Sequence, residues 1–155
     1  MLREFIQKKK TCALKVQASD WKDAVRAGVD LLVQAGVAES RYYDSILSMV
    51  QEFGPYFVIV PGVAMPHARP EMGAKGTGFS LITLAEPVSF GHEDNDPVDV
   101  ILCICAKDAA DMNETVIVEA MNLFDDEKNI ERLRLANSME EIDSILTDIA
   151  AQAED

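Results

Sequence analysis

Val98-Asp99-Val100-Ile101-Leu102-Cys103-Ile104-Cys105-Ala106 is apolar at every position but Asp99. A run of this length with no polar alternation reads as a strand covered on both faces, and predicts the centre of a sheet. It is too short, and too polar at its edges, to span a bilayer. Cys103 and Cys105 stand two apart, so on a strand they share a face. With Cys12 there are three cysteines, which cannot all pair with one another. Their apolar settings favour buried thiols over a metal site or a disulfide.

Strand signals continue upstream. Tyr56–Val60 is β-branched and aromatic and reads as a buried strand, broken by Pro61-Gly62. Val63–Met65 is a short apolar piece running into Pro66-His67. Phe79–Leu84 and Pro87–Phe90 read as strands, and Cys12–Ala18 alternates like an edge strand. Gly91–Pro97 is an acidic turn.

Helices flank these strands in the sequence. The first residues suggest a short one. Ser19-Asp20 offers an N-cap for the apolar spacing from Trp21 to Gly36. A second helix fits Ser40 to Phe53, with Tyr43, Ile46, Leu47 and Val50 on one face. Asn113–Phe124, Lys128–Leu135 and Met139–Ile149 follow, the last opened by a capping-box pattern at Ser138–Glu141. Strands with helices before and after argue an α/β or α+β sandwich around a mostly buried sheet.

The chain has 155 residues, 48% of them hydrophobic, enough for one core and one domain over 1–155. Mean hydropathy is +0.01. The basic N-terminal cluster Lys8-Lys9-Lys10 has no apolar stretch after it, so no signal peptide is expected and a cytoplasmic location is. A net charge of −13 repels nucleic acid and anionic membranes, so no nucleic-acid partner is expected.

Chemistry concentrates at one of two histidines. His67 lies in Val63-Ala64-Met65-Pro66-His67-Ala68-Arg69-Pro70-Glu71. Pro66 and Pro70 stiffen the backbone on both sides. Arg69 can approach an anion bound to the ring, and the glycine-rich stretch Gly73–Gly78 could offer backbone N–H groups to phosphate oxygens. A neutral imidazole is nucleophilic near pH 7, provided its other nitrogen is held by an acceptor. His92 sits in the acidic turn, either as a plain turn residue or as a second member of the His67 site. Metal spacing, Walker A, Gly-x-Gly-x-x-Gly and Gly-x-Ser-x-Gly patterns do not occur, so neither a metal nor a cofactor is expected.

Over nearly its whole length the sequence resembles enzyme IIA of the phosphoenolpyruvate-dependent sugar phosphotransferase system, in its mannitol–fructose superfamily. Trp21-Lys22-Asp23-Ala24, Leu31–Val37, Tyr42-Tyr43 and Pro61–His67 carry the likeness. Phe53–Val58, Ala64–Glu71, His92–Asp99 and Asn122–Asp126 are similar to the ascorbate-specific branch. The resemblance implies an α/β fold, a mixed β-sheet flanked by helices on both faces. It implies that the phosphocarrier protein HPr phosphorylates His67 on Nε2. His67 would then pass the group to a cysteine of enzyme IIB, serving a membrane enzyme IIC. A homodimer is left open. Nitrogen-type relatives use the same histidine for regulation, which is the alternative reading.

Two positions depart from the family pattern. Mannitol-type relatives carry an arginine where this chain has Gln51, and Arg69 is the candidate replacement. Relatives also carry a second histidine where this chain reads Asp111-Met112-Asn113-Glu114. Asn113 and His92 are the candidates to fill that role.

Overall fold

The computed structural model describes residues 1–154. Five strands form one sheet: β1 (Cys12–Val16), β2 (Val58–Val60), β3 (Val63–Ala64), β4 (Gly78–Val88) and β5 (Val98–Cys105). Their spatial order is β1-β4-β5-β3-β2, so the apolar run at Val98–Cys105 forms the middle strand. The sheet is mixed. β1 runs parallel to β4 and β3 parallel to β5, while β4–β5 and β2–β3 pair antiparallel.

Side chains leave β5 alternately for two cores. Val100, Leu102 and Ile104 join one core, and Ile101, Cys103 and Cys105 join the other. The first core is covered by α1 (Leu2–Lys9), α5 (Ile117–Leu123), α6 (Glu127–Leu135) and α7 (Met139–Glu154). The second is covered by α2 (Trp21–Gln34) and α3 (Arg41–Phe53). Helices thus flank both faces, as the resemblance implies. Among the described residues no helix is long and apolar enough to cross a membrane.

Asp20 caps α2 by accepting the Asp23 N–H at 2.9 Å. The helix then presses on the sheet at Gly28, where a Cβ would lie 2.3 Å from Cys103 Sγ. Asp99, the polar residue of β5, pairs with Arg134 of α6 (2.8 Å).

Three boundaries differ from expectation. Tyr56 and Phe57 are not strand but turn, because Val58 N–H bonds back to Pro55 and only Val58–Val60 reaches the sheet. The two strands expected over Phe79–Leu84 and Pro87–Phe90 are one, β4, with an irregularity between Thr83 and Val88. Pro87, which has no N–H to give, sits in that irregular stretch. The helix expected from Asn113 starts earlier, at α4 (Ala109–Asp111), capped by Asp108 accepting from Asp111 N–H (2.7 Å). It reaches α5 through a wide π-type turn, Met112–Val116.

Candidate functional site

Because β3 and β5 run parallel, both leave the sheet at the same end, and Ile104 N–H bonds to Pro66 carbonyl there (3.1 Å). His67 follows directly. Its imidazole is half-buried, and Nδ1 lies 2.7 Å from the Met65 carbonyl oxygen. A carbonyl only accepts, so Nδ1 carries the proton and Nε2 keeps its lone pair. Burial lowers the His67 pKa, partly opposed by the Met65 contact. The ring is therefore neutral and nucleophilic at neutral pH.

Two tyrosines grip the chain beside this ring. The Tyr56 ring stands edge-on to the imidazole, with centroids 5.4 Å apart and planes at 85°. Its hydroxyl donates to the His67 carbonyl. Burial pushes the Tyr56 pKa up to about 12, so it remains a donor. Tyr42, fully buried, accepts the Ala68 N–H (3.0 Å) and donates to the Ile104 carbonyl (2.8 Å). Gly73 lies against Tyr42, where a Cβ would come within 3.0 Å of its backbone, and its φ of +132° is one that side chains rarely adopt.

His67 opens into a shallow pocket of about 210 Å³, lined among others by Met49, Arg69, Ala109, Met112, Asn113 and Ile117. Arg69 and Asn113 are exposed, so their polar ends are free to meet an anion on Nε2. The wide turn brings Met112 and Asn113 to the pocket. Wide turns of this kind recur at functional sites.

The other expected members lie elsewhere. His92 lies in the turn before β5, while His67 sits where β5 ends, and His92 is not among the residues that line the His67 pocket. Its Nδ1 accepts the N–H groups of Asn95 (3.1 Å) and Asp94 (3.3 Å), which makes it a turn residue. Gln51 lines a different hollow, with Trp21, Lys22 and Asp44, and Met49 occupies the pocket instead. The middle of the glycine-rich stretch has its amides already bonded. Ala74 N–H bonds to Pro70, and those of Lys75 and Gly76 bond to Val37. Tyr56, Tyr42 and Met49 were not expected beside His67: Tyr42 entered only with Tyr43 as part of the likeness, and Tyr56 only as the start of a strand. A hydroxyl on a mostly apolar run was the available signal, since a buried tyrosine needs a partner.

Comparison with known proteins agrees with this geometry. The family model described as "Phosphoenolpyruvate-dependent sugar phosphotransferase system, EIIA 2" matches residues 4–149. The ascorbate-specific PTS system EIIA component of Escherichia coli K12 is 51% identical over 141 residues, which is 91% of this chain and 92% of that protein. A crystal structure of PtxA from Streptococcus mutans, described as a PTS IIA, superposes with a TM-score of 0.89 at 34% identity, over 97% of this chain and 95% of that one. Escherichia coli enzyme IIA for mannitol, solved in complex with phosphorylated enzyme IIB, superposes with a TM-score of 0.78 at 26% identity, over 90% and 95%. The chain belongs to the EIIA 2 family of the sugar phosphotransferase system and is a phosphoryl-transfer component of it.

Proposed function

We propose that residues 1–155 form one cytoplasmic enzyme IIA domain that takes a phosphoryl group from phospho-HPr on His67 Nε2. It passes that group to a cysteine of an ascorbate-type enzyme IIB, which serves a membrane enzyme IIC. The observation that carries this reading is the Met65 carbonyl on Nδ1. It leaves Nε2 unprotonated on a ring that lines the pocket, so no base is needed to start the reaction.

In the transfer, the N–P bond on HPr breaks as a new P–Nε2 bond forms, and the HPr imidazole leaves with the bonding pair. Positive charge grows on the His67 ring, and the Met65 oxygen stabilises the Nδ1–H that bears it. The three equatorial phosphoryl oxygens need charge and donors rather than covalent chemistry. Arg69 supplies a guanidinium, and Asn113 an amide N–H, both from the lining of the pocket. The helix starting at Ala109 adds the positive end of its dipole. Delivery to the IIB thiolate reverses these steps: the Nε2–P bond breaks, a P–S bond forms, and His67 returns to its neutral form.

The ascorbate assignment rests on the 51% identity to the Escherichia coli component. Incubation with phosphoenolpyruvate, enzyme I and HPr tests the chemistry. Label is expected on the wild type and absent from His67→Ala; unlabelled wild type, or a labelled variant, overturns the reading. Onward transfer to an ascorbate-type IIB but not to a mannitol-type IIB tests the branch.

A further inference from the structure

The peptide unit joining His67 to Ala68 is held at both of its polar atoms by tyrosine hydroxyls. Tyr56 donates to its carbonyl and Tyr42 accepts its N–H (3.0 Å). The tyrosines come from different elements, one from the turn before β2 and one from the start of α3. Tyr42 also donates to Ile104 (2.8 Å), which ties the grip to the end of the central strand. Resting on the reading of His67 as phosphoryl acceptor, we propose that this clamp holds the imidazole in its attacking geometry and that Tyr56 is a positioning residue for the transfer.

The local backbone explains why such a device is needed. β3 ends at Ala64, and the next regular element begins at Pro70. Pro66 has no N–H to give, so the segment that carries the nucleophile has little sheet or helix ladder of its own. Fixing one peptide plane next to His67 fixes its ψ, and with it the direction in which the side chain leaves. Tyr56 acts a second time through its ring. Packed edge-on at 5.4 Å, it stands in the way of the half-turn of the imidazole that would put Cδ2 in the place of Nδ1 and Cε1 in the place of Nε2. A flipped ring would break the Nδ1 contact with Met65 and aim a carbon, Cε1, where Nε2 should meet the incoming phosphorus. Small misplacements of a nucleophile cost far more rate than stability, because the reacting atoms must lie close and in line.

Tyr56→Phe separates these effects, since it keeps the aromatic packing and removes only the hydroxyl. Potassium phosphoramidate serves as a small phosphoryl donor beside phospho-HPr. Its P–N bond breaks, ammonia leaves, and the phosphoryl group moves to Nε2 without a protein partner. The clamp predicts that Tyr56→Phe is phosphorylated about tenfold more slowly by both donors. The loss falls on kcat, with KM for HPr unchanged. Imidazole ¹⁵N spectra are expected to show only the Nδ1-protonated tautomer in the wild type and a mixture in the variant. Tyr43→Phe, whose ring stacks under Arg26 instead, keeps the wild-type rate.

Wild-type rate and tautomer in Tyr56→Phe overturn the proposal, and so does a loss confined to KM, which would make Tyr56 a docking residue. Should Tyr56→Phe not fold, Tyr42→Phe releases the same peptide from its amide side and is expected to give the same mixture of tautomers; the pure Nδ1-protonated form there overturns the clamp. If wild-type His67 accepts no phosphoryl group, the functional reading fails on its own. The tautomer comparison then still decides whether the tyrosines set the ring.

Discussion

Nδ1 of His67 stands 2.7 Å from the carbonyl oxygen of Met65, two residues back along the same chain. The contact assigns the tautomer, and burial lowers the pKa of the ring that it holds. Nε2 is therefore unprotonated at pH values where a free histidine, with a pKa of about 6.5, is already half charged. Phosphorylation by HPr is expected to stay level from pH 8 to 6.5 and to fall only below that. A rate that halves at pH 6.5 or above contradicts the lowered pKa. HPr must be kept saturating and fully phosphorylated at each pH.

The same shift links pH to stability. The folded state holds His67 neutral, while the unfolded chain binds its proton near pH 6.5. The stability tied to this group is thus complete above pH 6.5 and is lost as the pH falls through the lowered folded pKa. Urea unfolding of wild type and His67→Gln should give a stability difference that shrinks between pH 7.5 and 5. A difference constant over that range would show that the ring is not destabilised by protonation.

Arg69 is exposed, so its contribution to binding a phosphoryl group is discounted for solvent. A charge-assisted hydrogen bond contributes about 1.5–3 kcal/mol when sheltered. Its lower end corresponds to roughly tenfold in rate. Arg69→Gln should slow phosphorylation of His67 by about that factor. His92→Gln should leave the rate unchanged, because His92 serves the turn before β5 and does not line the pocket. Equal rates for Arg69→Gln and wild type would remove Arg69 from the site, and a slow His92→Gln would contradict the topology.

Gly28→Ala sets two effects against each other. A helix-interior alanine gains about 0.5–1 kcal/mol over glycine. The added Cβ would sit 2.3 Å from Cys103 Sγ, and both atoms are buried between α2 and the sheet. Overpacking of this kind costs about 1–3 kcal/mol. The net is a loss, expected as a lower urea midpoint with an unchanged phosphorylation rate. A midpoint equal to or above wild type would mean that α2 can back away from the sheet.

How much of this could be read from the sequence depended on whether the deciding contacts were local. β5 was legible because a strand buried on both faces leaves one interpretation of its residues. His67 and Arg69 were legible because prolines on either side mark the segment. The stripe expected on α3 was Tyr43, Ile46, Leu47 and Val50; Ile46 is buried and Tyr43 and Val50 pack against the core, but the face widens to include Tyr42 and Met49 as well. These two are the residues of α3 that reach the His67 segment, while Gln51 lines a different hollow. Which end of β5 His67 would occupy depended on β3 pairing parallel to it, and pairing direction leaves no mark in a short apolar run. The wide turn at Met112–Val116 likewise has no periodic signature.

Asn113 reaches the pocket from that wide turn, at the place where relatives are expected to carry a second histidine. An amide can donate to a phosphoryl oxygen but cannot change charge. In this chain one titrating side chain, His67, therefore faces the reaction from within the pocket. Asn113→His would add a second one, with an ordinary pKa of about 6.5. Below that pH the new ring is cationic beside the phosphoryl oxygens and helps to bind them; above it the ring is a neutral donor much like the amide. The expected result is a rate of His67 phosphorylation that rises as the pH falls through 6.5, opposite in sign to the wild-type trend. Single-turnover phosphorylation by phospho-HPr from pH 5.5 to 8 reads this directly. A variant that follows the wild-type profile would show that position 113 does not face the phosphoryl group.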